Sequence, residues 1–373
     1  MKYDHVSPAH RVCNRQADRP GQHRRLGARS VLIAGVLVLL HALPLSAPAH
    51  AARLPNGTNV QGTHVQGTHV QGRSVHGGLM QDTGTRNRRL IGVKSDPHGA
   101  PLMLVAIYGF HGDVVDALVW TRGAGEPERL GRASELIGLQ WSESRCTDDG
   151  LCSIVNYRVA GGQPDASRST MPRHGDNRDI WLYDIEYARA GEGSGPVWQN
   201  VCRPDAHGDA RAMFLDGQWR ADGSWDPSGH TIACTSGVLA KCARNWGYKP
   251  WQQARTSGSL ISLRPLHQAC VRAARADYCG DGASHTRDGT LIDLFDRYGL
   301  NVREQVEGFS PEAGFDVEGA TWVARPRWPR GDEDRGDMLW LQTCARPRRS
   351  MSAGGEAPLI QVWSRARAPQ PRE

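Results

Sequence analysis

Lysine is scarce in this 373-residue chain: Lys2, Lys94, Lys241 and Lys249 are the whole supply, although lysine and arginine together number 45. That bias is compatible with a GC-rich genome. The nine cysteines include no C-x-x-C pair, which argues against a reduced, zinc-ribbon type of metal site. Downstream of residue 51 no apolar run reaches spanning length, so no transmembrane segment is expected there. Excess charge of one sign is missing too. The first 51 residues hold seven basic and two acidic side chains, so without them the formal charge of +6 falls to about +1. A nearly neutral chain gives no electrostatic footprint for nucleic acid, and none is expected as a partner.

What the first 51 residues do hold is the pattern of an export signal. Arg24, Arg25 and Arg29 precede the apolar run from Val31 to Leu45, and Ala49-His50-Ala51 is a small-x-small cleavage site. The run is interrupted by His41 and Pro44 and is short for a membrane anchor. The expected location is therefore the periplasm, cell surface or extracellular space, with an envelope or extracellular partner. Export removes Cys13 and leaves Cys146, Cys152, Cys202, Cys234, Cys242, Cys270, Cys279 and Cys344, an even set that predicts four disulfides in an oxidising compartment. Cys146 and Cys152 flank the turn sequence Thr147-Asp148-Asp149-Gly150 and are expected to pair. Cys202 and Cys344 are then left for each other or for shuffled pairing with the remaining four.

Residues 58 to 82 repeat every five positions with valine at the centre, as in Thr63-His64-Val65-Gln66-Gly67. They resemble the pentapeptide repeat, although the run is too short to bury a core by itself. From Leu90 onward short strand-like runs follow one another: Leu90 to Val93, Leu102 to Tyr108, Val114 to Trp120, Leu136 to Trp141, Cys152 to Val159, Ile180 to Ala188 and Val197 to Cys202. Gly161 to Asp179 reads as a long surface loop or domain seam. The fold class expected is α+β, β-rich (sandwich or barrel-like), with a small helical, disulfide-stapled subregion.

That subregion is the stretch from Thr231 to Asp296. Val238, Leu239, Cys242 and Trp246 fall at helical spacing behind Ser236 as N-cap, with Gly247 as the stop. A second helix is predicted from Pro265 to Gly280, with Leu266, Ala269, Cys270, Ala273 and Asp277 on its inward face. Nine residues of helix span roughly 13 Å, too far for Cys270 to bond Cys279, so crosswise pairing of Cys234 and Cys242 with Cys270 and Cys279 is expected. Inward-facing Asp277 needs a partner: backbone amides, Lys249 or an arginine. The strings Ala240-Lys241-Cys242, Trp246-Gly247-Tyr248-Lys249-Pro250-Trp251, His267-Gln268-Ala269-Cys270, Ala276-Asp277-Tyr278-Cys279 and Cys279-Gly280-Asp281-Gly282 stand in one order. They resemble the ADYC domain of bacterial exported proteins. The resemblance implies secretion and names no activity.

The resulting layout is a signal peptide over 1–51, a pentapeptide-like stretch over 52–82, a β-rich region over 83–178, an ADYC domain over 179–344 with its core at 231–296, and a disordered tail over 345–373, where Leu359 to Trp363 could dock as an edge strand. Gly314 to Arg325 is predicted as a hairpin and Met338 to Cys344 as a buried strand. The most economical role is a non-catalytic binding or structural module. The alternative is a secreted hydrolase or transpeptidase using His285 with Asp281 or Asp288, since a loop pinned by Cys279 is a fair place to present them. His267, Cys270 and Arg272 loosely resemble the L,D-transpeptidase site, with one residue too many between His and Cys. No cofactor is expected; calcium held by Asp277, Asp281 and Asp288, with Asp293 and Asp296 nearby, is the competing metal reading. Trp246, Tyr248 and Trp251 are candidates for an aromatic binding platform or for packing over a disulfide.

Overall fold

The fold is that of a computed structural model, which describes residues 57–60, 79–80, 90–94, 103–121, 125–146, 152–169, 176–189, 195–205, 208–219, 225–286, 290–303, 307–327, 344 and 357–365. The leader, Asp288, most of the repeat and Met338 to Thr343 lie outside them. In chain order the elements are β1 (Gly57–Val60), β2 (Leu79–Met80), β3 (Leu90–Lys94), β4 (Met103–His111), β5 (Val114–Thr121), β6 (Glu128–Arg132), β7 (Leu139–Cys146), β8 (Cys152–Pro164), β9 (Trp181–Arg189), β10 (Gln199–Asn200), β11 (Ala212–Trp219) and β12 (Trp225–Cys234). Then come α1 (Val238–Arg244), β13 (Gln253–Thr256), β14 (Ser259–Ser262), α2 (Arg264–Arg275), β15 (Thr290–Asp296), β16 (Phe309–Asp316), β17 (Gly319–Val323) and β18 (Ile360–Arg365).

The strands make an eleven-stranded antiparallel sheet in the order β2-β12-β11-β9-β8-β7-β3-β4-β5-β6 with β10 on β9, a five-stranded sheet β1-β15-β18-β16-β17, and the hairpin β13-β14. Alternation along each strand decides which core a side chain enters. On β11, Ala212 and Phe214 face one core while Met213 and Leu215 face the other. The first core fills the concave side of the large sheet with Ile107, Leu139, Tyr157, Tyr183 and Phe214. The sheet curls far enough that β4 meets β11: Phe110 and Phe214 stack at 4.5 Å, and the Phe110 amide donates to Asp216 Oδ1 at 2.9 Å. This is an open, barrel-like curl, closed at the seam by side chains.

The second core joins the far side of β9, β11 and β12 to α1, α2 and the small sheet, through Leu182, Leu215, Trp246, Leu266, Phe315 and Val362 among others. β8 and β9, on either side of position 178, pair within the large sheet, and Gly161 to Pro164 belong to β8. Leu136 ends a 3-10 turn before β7 rather than starting the strand, and only Gln199 and Asn200 of Val197 to Cys202 are strand. The hairpin expected at Gly314 to Arg325 is β16 and β17. The tail needs the largest correction. β18 lies between β15 and β16, an interior strand, because its apolar Ile360 and Val362 face the second core while both its edges find partners. No helix among the described residues is long and apolar enough to cross a membrane.

Candidate functional site

Helix α2 carries the signature cysteine loop at its C-terminal end. It stops at Arg275 rather than running to Gly280 because Ala276 turns left-handed (φ 54°), which lets the Asp277 amide close back on the Arg272 carbonyl at 2.9 Å. That turn aims Asp277 inward. Its Oδ2 pairs with Arg272 Nη1 and accepts the Gly282 amide at 3.1 Å, so its partners are an arginine and a backbone amide, not Lys249. Arg275, buried, donates to the Gly282 carbonyl at 2.6 Å; its burial pulls the guanidinium below its ordinary range.

The orphan carbonyls at the end of α2 find a donor from far along the chain. Arg327 donates Nη1 to Ala274 O at 2.9 Å and Nη2 to Ala273 O at 2.5 Å, and its Nε reaches Glu312 Oε2 at 2.7 Å. Burial opposes the charge on Arg327, but the Glu312 carboxylate and the Tyr278 hydroxyl together outweigh it and hold the guanidinium above its ordinary value. Tyr278 closes the ring: its hydroxyl donates to Glu312 Oε1 at 3.0 Å and accepts the Arg327 amide at 2.7 Å. Burial, then the charge on Glu312, lifts that hydroxyl well above the phenol range.

The remaining signature residues are spent in the same manner. Trp246 and Tyr248 are fully buried in the core that also holds Cys242 and Cys270, so they offer no exposed platform. The Tyr248 hydroxyl donates to Asp296 Oδ2 at 2.9 Å. Asp296 also accepts the Tyr298, Leu300 and Asn301 amides, as a turn cap does. Lys249 reaches Asp179 and the Asp176 carbonyl, and Asp179 also accepts Trp251 Nε1 (3.3 Å) and Gln252 Nε2 (2.6 Å). Gly112, in the turn between β4 and β5, is seated on this group so closely that a Cβ there would lie 2.2 Å from the Asp179 carbonyl oxygen. His267 donates Nε2–H to Leu239 O at 3.0 Å; burial lowers its pKa to about 4, so it is a neutral core imidazole.

The bridges correct the expected map. Cys242 bonds Cys270, one of the crosswise pairs, but Cys234 bonds Cys202 on the neighbouring turn, and Cys279 bonds Cys344. Cys270, buried in a bridge, is no nucleophile. Cys146 and Cys152 stand opposite each other across β7 and β8; their side chains lie outside the described residues.

Of the trio His285, Asp281 and Asp288, the first two lie among the described residues. His285 is buried, its ring against Tyr278 (5.7 Å between centroids) and its amide on Arg275 O. Asp281 is exposed and accepts the Ala283 amide at 2.9 Å. Asp288 lies outside the described residues. Of the calcium candidates, Asp277 is committed to Arg272 and Asp293 is buried in β15; among the described residues no group of three His, Cys, Asp or Glu side chains could hold a metal.

Sequence reading missed one pair. His230 on β12 faces Asp216 on β11, Nδ1 to Oδ1 at 3.1 Å, with the ring edge-on to Phe110 at 4.8 Å. A carboxylate orienting an imidazole is half of a nucleophilic triad. Here the imidazole is 1% exposed and pins the sheet seam. Only register could have revealed it, because the two residues become partners through a strand pairing fourteen residues apart.

Against known proteins, the ADYC domain family matches residues 133–329. The match begins upstream of the 179 boundary expected from sequence and takes in β7, β8 and β9. No curated protein and no solved structure matches the chain.

Proposed function

The chain belongs to the ADYC domain family, and from that premise we propose that it is an exported, non-catalytic module, a disulfide-stapled scaffold of the cell envelope or surface. The observation that carries this reading is the internal use of the signature. Tyr278, Cys279, Tyr248, Lys249 and His267 engage their polar groups or sulfur within the fold, and Asp277 engages its Oδ2 there while its buried Oδ1 has no hydrogen-bond partner among the described residues. A catalytic loop keeps its acid, base or nucleophile within reach of substrate. This one buries His285 and leaves Asp281 holding its own turn. The bridges support an oxidising compartment.

Expression of the full chain in an exporting bacterium tests the compartment. The envelope fraction should contain a product lacking residues 1–51 whose thiols, titrated in denaturant without reductant, are absent. A cytoplasmic, fully reduced product carrying its leader would sink the reading. The role of the loop is tested by His285→Ala, which should lower the melting temperature by several degrees. A His285→Ala protein as stable as the parent would speak against a scaffold role.

A further inference from the structure

The three described disulfides differ in their access to solvent. Cys242 and Cys270 are fully buried in the second core; Cys234 is fully buried and Cys202 is 4% exposed. Cys279 and Cys344 are both only half-buried. Thiol–disulfide exchange needs a thiolate to approach a sulfur along the S–S axis, so a bridge in a packed core reacts only after that core opens, whereas one at the surface reacts from the native state. The surroundings of Cys279 have hydrogen bonds of their own besides the bridge. Asp277 is held by Arg272 and the Gly282 amide, Tyr278 by Glu312, and the Tyr278 carbonyl accepts the Ala320 amide at 3.0 Å.

We propose that Cys279–Cys344 is a site of thiol–disulfide exchange, opened by a dithiol reductant while the fold stays intact. One thiolate of the dithiol attacks a bridge sulfur and the S–S bond breaks. The departing cysteine leaves as a thiolate and takes up a proton. The second thiol of the reductant then displaces the remaining cysteine from the mixed disulfide and leaves with its partner as a disulfide. Two electrons and two protons pass to the pair. The protein loses a covalent clamp across a sequence separation of 65 residues but keeps the polar ring that seats the signature loop. Cys279 of the signature is thereby the half of the staple that responds to redox conditions, and Cys242–Cys270 the half that does not. The inference rests on the oxidised, exported state proposed above.

The test uses the oxidised full chain at neutral pH with limiting dithiothreitol, quenched at intervals with iodoacetamide and read by peptide mass spectrometry, with far-UV circular dichroism in parallel. Cys279 and Cys344 should be alkylated at least about tenfold faster than Cys202, Cys234, Cys242 and Cys270, with the dichroism unchanged. Equal rates, an earlier loss of either buried bridge, or dichroism that decays in step with Cys279 labelling would overturn the proposal. In the double variant C279S/C344S the four cysteines of the two buried bridges should stay unlabelled at early times; their early labelling would also overturn it. Labelling of any of these six cysteines before reductant is added would instead refute the oxidised state on which the proposal rests.

Discussion

The two cores of the molecule are built on opposite principles. The first, inside the curled sheet, is held by shape: Trp141 stacks on Tyr157 at 5.1 Å, Phe110 stacks on Phe214 at 4.5 Å, and Tyr183 leans on Phe214 at 5.0 Å. The second, around the signature, packs its apolar side chains against ionic groups: the buried pairs Arg272 with Asp277 and Arg327 with Glu312, and buried Lys249 with half-buried Asp179. Near α1, Arg244 pairs with Asp165. Buried ion pairs are a poor source of net stability, because desolvation consumes much of the attraction. Their value here lies in where they bind. Arg327 and Arg272 fix β16, β17 and the loop against the end of α2 through specific carbonyls, which apolar contact alone would leave free to slide.

Removing one partner should therefore hurt the second core more than its area predicts. Glu312→Ala leaves Arg327 charged and buried with no carboxylate, and should cost about 3–5 kcal/mol in denaturant unfolding. The double variant Glu312→Ala/Arg327→Ala should cost clearly less than the sum of the singles, since removing both leaves no uncompensated charge. Additive losses would erase the distinction between the cores. A smaller effect is expected at Gly280, which adopts φ +71° with the Glu318 carbonyl oxygen 1.8 Å from where a Cβ would sit. Gly280→Ala should destabilise by about 2–3 kcal/mol, from the left-handed backbone and the displaced turn. Unchanged stability would mean that the loop does not dock on β17 as described.

The contrast also explains what the sequence could and could not reveal. Helices α1 and α2 were legible because their apolar spacing, Pro265 and Gly247 are local signals, and so was the β-rich class. The end of α2 was misplaced because an alanine, not a glycine, takes the left-handed cap. Disulfide partners were half legible: Cys242–Cys270 follows from two helices that must pack, whereas Cys202 and Cys344 reach the signature through strand register and a late return of the chain. Leu359 to Trp363 announces a strand without saying how many neighbours it will have, so the interior place of β18 is not legible. The polar ring was invisible because Glu312 and Arg327 lie far from α2 in sequence and look like ordinary surface charges. Proximity in sequence says nothing about which side chains a left-handed turn sends inward: His285 is buried and Asp281 exposed.

The mildest test of the comparison is pH. His267 sits in the second core as a neutral imidazole, its pKa lowered to about 4 from an ordinary 6.5 by burial, partly offset by the Leu239 carbonyl that accepts its Nε2–H. Between those two values the unfolded chain binds a proton that the folded chain refuses. The contribution of His267 is therefore complete above pH 6.5 and is lost as pH falls toward 4, at about 1.4 kcal/mol per pH unit. His267→Gln keeps a donor for Leu239 and does not titrate in this range. The stability of the parent minus that of the variant, measured by urea unfolding, should stay level above pH 7 and decline below pH 6.5. A difference that stays flat down to pH 4 would place His267 in contact with water and remove one of the features that sets the second core apart from the first.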